Sequence, residues 1–96
     1  MTDEHDSVGP VLEVGEVATA IVSAIRDANA HVTVLDRGSY LRVLVPKRCV
    51  VRREAIERAL GRPFELPSDL ERTMPSFKGK LTMTDDEVVW EQAQRR

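Results

Sequence analysis

Between Val14 and Val45 the apolar residues change their period, and that change constrains the fold more than any other feature of the chain. Val14, Val17, Ala18, Ile21, Ile25 and Ala28 recur at helical spacing, which predicts a helix over about residues 15–28 with one apolar stripe. Gly15 is an acceptable N-cap, Glu16 suits the positive end of the helix dipole, and Asn29 is placed to end the helix in the left-handed conformation. From His31 the period drops to two. His31-Val32-Thr33-Val34-Leu35 and Tyr40-Leu41-Arg42-Val43-Leu44-Val45 read as a hairpin around the turn Asp36-Arg37-Gly38-Ser39. Leu41, Val43 and Val45 then face the core, Tyr40 and Arg42 face the other side, and Pro46 ends the unit.

Shorter elements flank this unit. Val8-Gly9-Pro10-Val11-Leu12 is an extended segment, and Pro10, lacking a donor, predicts an edge strand or a strand start. Cys49-Val50-Val51 suits a short strand. A helix over about residues 52–60 is expected to bury Ile56, Ala59 and Leu60, with Gly61 at its C′ position and Glu54 four residues before Arg58. Ser68 and Glu71 have capping-box spacing for a second short helix, which Pro75 stops. Lys80-Leu81-Thr82-Met83 and Glu87-Val88-Val89-Trp90 read as a terminal hairpin around Asp85-Asp86.

The order is strand, helix, strand, strand, then strand, helix, helix, strand, strand. Without regular βαβ repetition this predicts a small α+β domain of two sub-sheets. The 96 residues suffice for one domain. Residues 1–7 hold three carboxylates and read as a mobile acidic tail, 8–92 as the single domain, and 93–96 as a frayed end.

Several function classes lack their parts. His5 and His31 have no second ligand at metal spacing, Cys49 in an apolar strand has no base beside it, and the five glycines are dispersed. No catalytic residue, metal or cofactor is therefore expected, and the chain reads as a non-enzyme. Lys47, Arg48, Arg52, Arg53, Arg58 and Arg62 form a basic stretch, but Glu54, Glu57 and Glu65 dilute it and Phe64 is its one nearby aromatic. With a net charge of −2, nucleic acid is not an expected partner; steering toward an acidic patch on a protein is the better use. No apolar run reaches membrane-span length and the lone cysteine can form no internal disulfide, so a cytoplasmic protein is expected; a monomer when free is the further expectation.

Four short motifs then combine: Val8-Gly9-Pro10-Val11, Asp36-Arg37-Gly38-Ser39-Tyr40-Leu41-Arg42, Leu60-Gly61-Arg62-Pro63-Phe64 and Ser76-Phe77-Lys78-Gly79. In this order and spacing the chain resembles the effector (coupling, or regulatory) proteins of soluble diiron multicomponent monooxygenases, in the toluene and alkene monooxygenase branch. The resemblance runs from Val8 to about Trp90. It implies a cofactor-free protein that binds the diiron hydroxylase component and couples oxygen activation to hydroxylation or epoxidation of an aromatic hydrocarbon or an alkene. It also implies a partner-facing loop, here Thr73-Met74-Pro75-Ser76-Phe77. Val8, Gly9 and Pro10 beside the tail, and the Tyr40/Arg42 face, are the further partner-binding candidates. The alternatives are an unrelated α+β regulatory or adaptor module for another protein or a small ligand, and a nucleic-acid binder.

Overall fold

In the computed structural model, which describes residues 6–93, the chain forms ten elements. They are β1 (Ser7–Glu13), α1 (Glu16–Ala28), β2 (Thr33–Asp36), β3 (Tyr40–Pro46), β4 (Arg48–Arg52), α2 (Arg53–Leu60), α3 (Ser68–Thr73), β5 (Ser76–Lys78), β6 (Lys80–Met83) and β7 (Glu87–Glu91). The strands make a four-stranded sheet in the order β2-β3-β1-β5 and a three-stranded sheet in the order β4-β7-β6, and every pairing is antiparallel. The α+β class and the two sub-sheets are as the sequence predicts. The element absent from the sequence reading is β5.

Of the chain's three crossings between the sheets, one runs through α2 and α3 and two are one-residue corners. Lys47 separates β3 from β4 and has φ 67°; its N–H donates to the Asp6 carbonyl and its carbonyl accepts from the Gln92 N–H. Gly79 separates β5 from β6 with φ 108°, and a Cβ there would lie 2.8 Å from both the Glu91 carbonyl oxygen and Val8 Cγ1. Glu91 pairs with Arg48 on one side and Lys80 on the other, so both corners hinge on the end of β7. Glycine at 79 is what allows this close approach.

One core joins the layers. Val8 and Leu12 of β1, Val43 and Val45 of β3, and Cys49 and Val51 of β4 pack with Ala18, Ile21, Ala24 and Ile25 of α1. Trp90, fully buried at the middle of the three-stranded sheet, faces Cys49 and Leu81 across its two ladders. Phe64 and Leu66 of the segment after α2, with Leu70 and Met74, close the core. Arg53 fixes that segment. Its guanidinium reaches Glu57 Oε2 at 2.9 Å, Asp86 Oδ1 at 3.2 Å and the Asp85 carbonyl at 3.0 Å, while Glu57 Oε2 also accepts the Phe64 N–H at 2.9 Å. That backbone bond, helped by Arg53, holds the Glu57 carboxyl below its usual range.

Several local expectations are corrected. Pro10 is not on an edge: β1 lies between β3 and β5, and the β1–β3 ladder lapses at Gly9 and Pro10, so the missing donor sits where no bond is made. Asn29 is extended (φ −135°) and ends α1 through its side chain, whose Nδ2 donates to the Ile25 and Val50 carbonyls while Oδ1 accepts the Val50 N–H. The left-handed residue nearby is His31, with φ 60°. Val14 lies before α1 and is exposed, and Ala59 is exposed because the short α2 turns Ile56 inward instead. Ser68 makes no capping box; the Asp69 carboxylate accepts the Glu65 N–H and the turn winds up from Glu65. Arg53–Glu57, not Glu54–Arg58, is the ion pair of α2. Gly61 does take the left-handed cap position. Asp6 and Ser7 belong to the folded unit, Ser7 buried and paired with Pro46 and Asp6 bonded to Gln92; the remaining tail residues 1–5, and residues 94–96, lie outside the described residues.

Candidate functional site

Nothing described resembles a reaction centre. Among the described residues no group of three His, Cys, Asp or Glu side chains could hold a metal ion. Cys49 has no exposed surface, and burial pushes its thiol up to about 12, which keeps it protonated and unreactive. His31 is exposed, and His5 lies outside the described residues. The basic stretch is largely neutralised within the chain: Arg48 faces Glu91, Arg52 faces Glu87, Arg53 faces Glu57 and Asp86, and Arg62 faces Glu16. An acidic partner is therefore not met by this stretch as a whole.

The sequence candidates divide by burial. Val8, Gly9 and Pro10 are buried in β1, and Met74 packs in the core, so these four offer no surface to a partner. Gly9 has a packing role: at φ 146° a Cβ would collide with the Val43 carbonyl oxygen, so glycine lets β1 and β3 approach there. Thr73 is half buried at the end of α3, beside a small groove it shares with Val17 and Phe64. Pro75, Ser76 and Phe77 are exposed, as is Tyr40, and Arg42 is half buried.

Register brings two of these candidate regions together. Ser76 of β5 pairs with Val11 of β1, Val11 pairs with Arg42 of β3, and Arg42 pairs with Leu35 of β2. Side chains in one row share a face, so Ser76, Val11, Arg42 and Leu35 lie side by side on the face turned away from the core. One step along, Glu13 pairs with Tyr40 on the same face. Phe77 follows Ser76 and, by alternation, points to the other face beside Pro10. The result is an open groove of about 670 Å³. Tyr40, Arg42, Pro75 and Ser76 line it, together with Val11, Glu13, Val14 and Ser39, which sequence reasoning missed. Only the pairing of β1 with both β3 and β5 could have nominated Val11 and Glu13. Val14 falls in register with the apolar stripe of α1 in the sequence, which hides it.

Such a groove, with apolar walls beside a phenol, a guanidinium and the Glu13 carboxylate, has the mixed lining of a binding surface. Comparison with known proteins agrees with this character. A 38% identical relative, the alkene monooxygenase system effector subunit of Xanthobacter autotrophicus (strain ATCC BAA-1158 / Py2), aligns over 89 residues, covering 91% of this chain and 87% of that protein. The fold is similar to a chain in a solved phenol hydroxylase–regulatory protein complex, with a TM-score of 0.79 at 21% identity over 91% of this chain and 98% of that one. It is also similar to the soluble methane monooxygenase regulatory protein B, with a TM-score of 0.70 at 21% identity over 97% of this chain and 70% of that one. Residues 6–91, which hold every described element, match the MmoB/DmpM family, and the chain belongs to that family.

Proposed function

We propose that the chain is the effector protein of a multicomponent monooxygenase: it docks on the diiron hydroxylase component and couples oxygen activation there to hydroxylation or epoxidation of a hydrocarbon. Membership of the MmoB/DmpM family along residues 6–91, joined to a 38% identical relative named as an effector subunit, carries this reading. That relative serves an alkene monooxygenase, which favours an alkene over an aromatic substrate. The chain does no chemistry of its own. It acts by binding one conformation of the hydroxylase better than another, so contact energy at the interface becomes a shift in the partner's active-site population. To turn a 1:99 mixture into 99:1, the preference must be about 10⁴-fold.

The docking surface in this reading is the outer face of the four-stranded sheet, with Tyr40, Arg42, Pro75 and Ser76 in the groove; Thr73, beside a separate groove, and Phe77, on the opposite face, lie outside it. The protein acts in the cytoplasm as a free monomer that forms a stoichiometric complex. Among the described residues no helix is long and apolar enough to cross a membrane, and the buried lone thiol fits a reducing compartment. Steady-state assays with purified hydroxylase and reductase, given propene or toluene, test the reading. Addition of the chain is expected to raise product formation to saturation near one effector per active site and to raise product formed per reductant consumed. A hydroxylase whose rate and coupling are both indifferent to the chain refutes it.

A further inference from the structure

Among the described residues one cation is both partly desolvated and unmatched. Arg42 is half buried on the outer sheet face, and among the described residues no ion pair or hydrogen bond reaches its guanidinium. Arg48, Arg52, Arg53 and Arg62 by contrast each meet a carboxylate within the chain. Glu13 is the anion of the same groove, but it stands opposite Tyr40 in the β1–β3 register and makes no ion pair with Arg42. A guanidinium has five donors in a planar fork that fits a carboxylate in bidentate fashion. With Val11, Val14 and Pro75 as walls, an incoming carboxylate would meet Arg42 in a less aqueous setting than at an open surface, where such pairs count for little.

Resting on the reading that this chain docks on a hydroxylase, we propose that Arg42 is the anchor of the interface and receives an Asp or Glu carboxylate of the hydroxylase. The Tyr40 hydroxyl supplies a neighbouring donor, and Val14 and Pro75 cover the apolar residues that flank the carboxylate. Glu13, two residues along β1 from Val11 and on the same face, then acts as a discriminating neighbour. It repels a partner segment whose acidic group is out of register, and it slightly weakens the correct one. A second copy of this chain offering Glu13 to Arg42 reciprocally would cover the face the effector needs open.

The test uses the full chain and the purified hydroxylase component, with Kd measured by titration calorimetry at several salt concentrations. Arg42→Ala is expected to weaken binding about 30-fold and to flatten its salt dependence, and Arg42→Lys, which keeps the charge without the fork, to recover part of that loss. Glu13→Gln is expected to tighten binding roughly threefold, because it removes a like charge from the site. Arg58→Ala, an exposed cation on α2, should leave Kd unchanged, and thermal melting confirms that each variant is folded. If wild type fails to bind the hydroxylase, the effector reading itself falls. If wild type binds and Arg42→Ala binds equally well, only the anchor is overturned. Weaker binding by Glu13→Gln also overturns it, since the partner would then be presenting a cation. So does sedimentation showing a wild-type dimer that Glu13→Gln dissolves, since the occupant would then be a second copy.

Discussion

Cys49 sits on β4 opposite Trp90 with no exposed surface, and the cost of placing a charge there is what raises its thiol from 9.0 to about 12. The folded form therefore holds a proton that the unfolded chain releases between those values. By linkage its contribution to stability is intact below pH 9 and is lost as pH rises from there through about 12. In that window the slope approaches about 1.4 kcal/mol per pH unit. Urea midpoints at pH 8 and pH 10 check this. The alkaline loss should be smaller in Cys49→Ala, which is less stable at pH 8 but has no thiol to ionise. The same argument expects no reaction of native Cys49 with a thiol reagent at pH 8 and rapid reaction in denaturant. That Cys49 is a core residue was legible in its apolar strand. That Gly9 is a point of strand contact was not, because the Val43 carbonyl it accommodates lies 34 residues away in sequence.

The elements most open to sequence reading were those whose pattern is local. The stripe of α1, the Asp36–Ser39 turn and the β6–β7 hairpin each carry their own period and punctuation. The strand β5 carries neither. Ser-Phe-Lys is three residues between a proline and a glycine, and it is a strand only because β1 offers Gly9, Pro10 and Val11 to pair with. Asn29 shows a similar dependence on distant structure. Its amide bonds Ile25 at 2.8 Å, which ends α1, and exchanges bonds of 2.8 and 3.1 Å with the Val50 backbone. It thus satisfies the edge of β4 that no strand covers. Asn29→Ala leaves these partly buried groups unmatched and should cost about 2 kcal/mol. Chemical denaturation measures that loss, and faster amide exchange at Val50 locates it. Asn29→Asp should be no better than alanine, since its second oxygen would face two carbonyl acceptors. Equal stability of the three proteins would mean that water replaces the side chain at no cost.

At the scale of the molecule the two sheets divide the labour. The three-stranded sheet carries Trp90 and completes the core with the helices, while the four-stranded sheet shows its outer face to solvent with the groove across it. The candidate site was legible only in pieces. Tyr40 and Arg42 stood out by alternation, and Pro75 and Ser76 only through the loop that the family resemblance implies, but their meeting depends on β1 lying between β3 and β5, which no local pattern encodes. Because the groove is confined to one side, a bulky group should act according to where it is placed. A polyethylene glycol maleimide attached at Ser39→Cys, on the groove, is expected to abolish both complex formation and stimulation of the hydroxylase. The same reagent at Thr82→Cys, exposed on β6 of the other sheet, should leave both within about twofold, as expected for a surface change away from the contact. The buried Cys49 does not compete for the reagent, so each label reports a single position. Loss of activity from the Thr82 label alone would move the docking face to the three-stranded sheet and leave the outer groove without a partner.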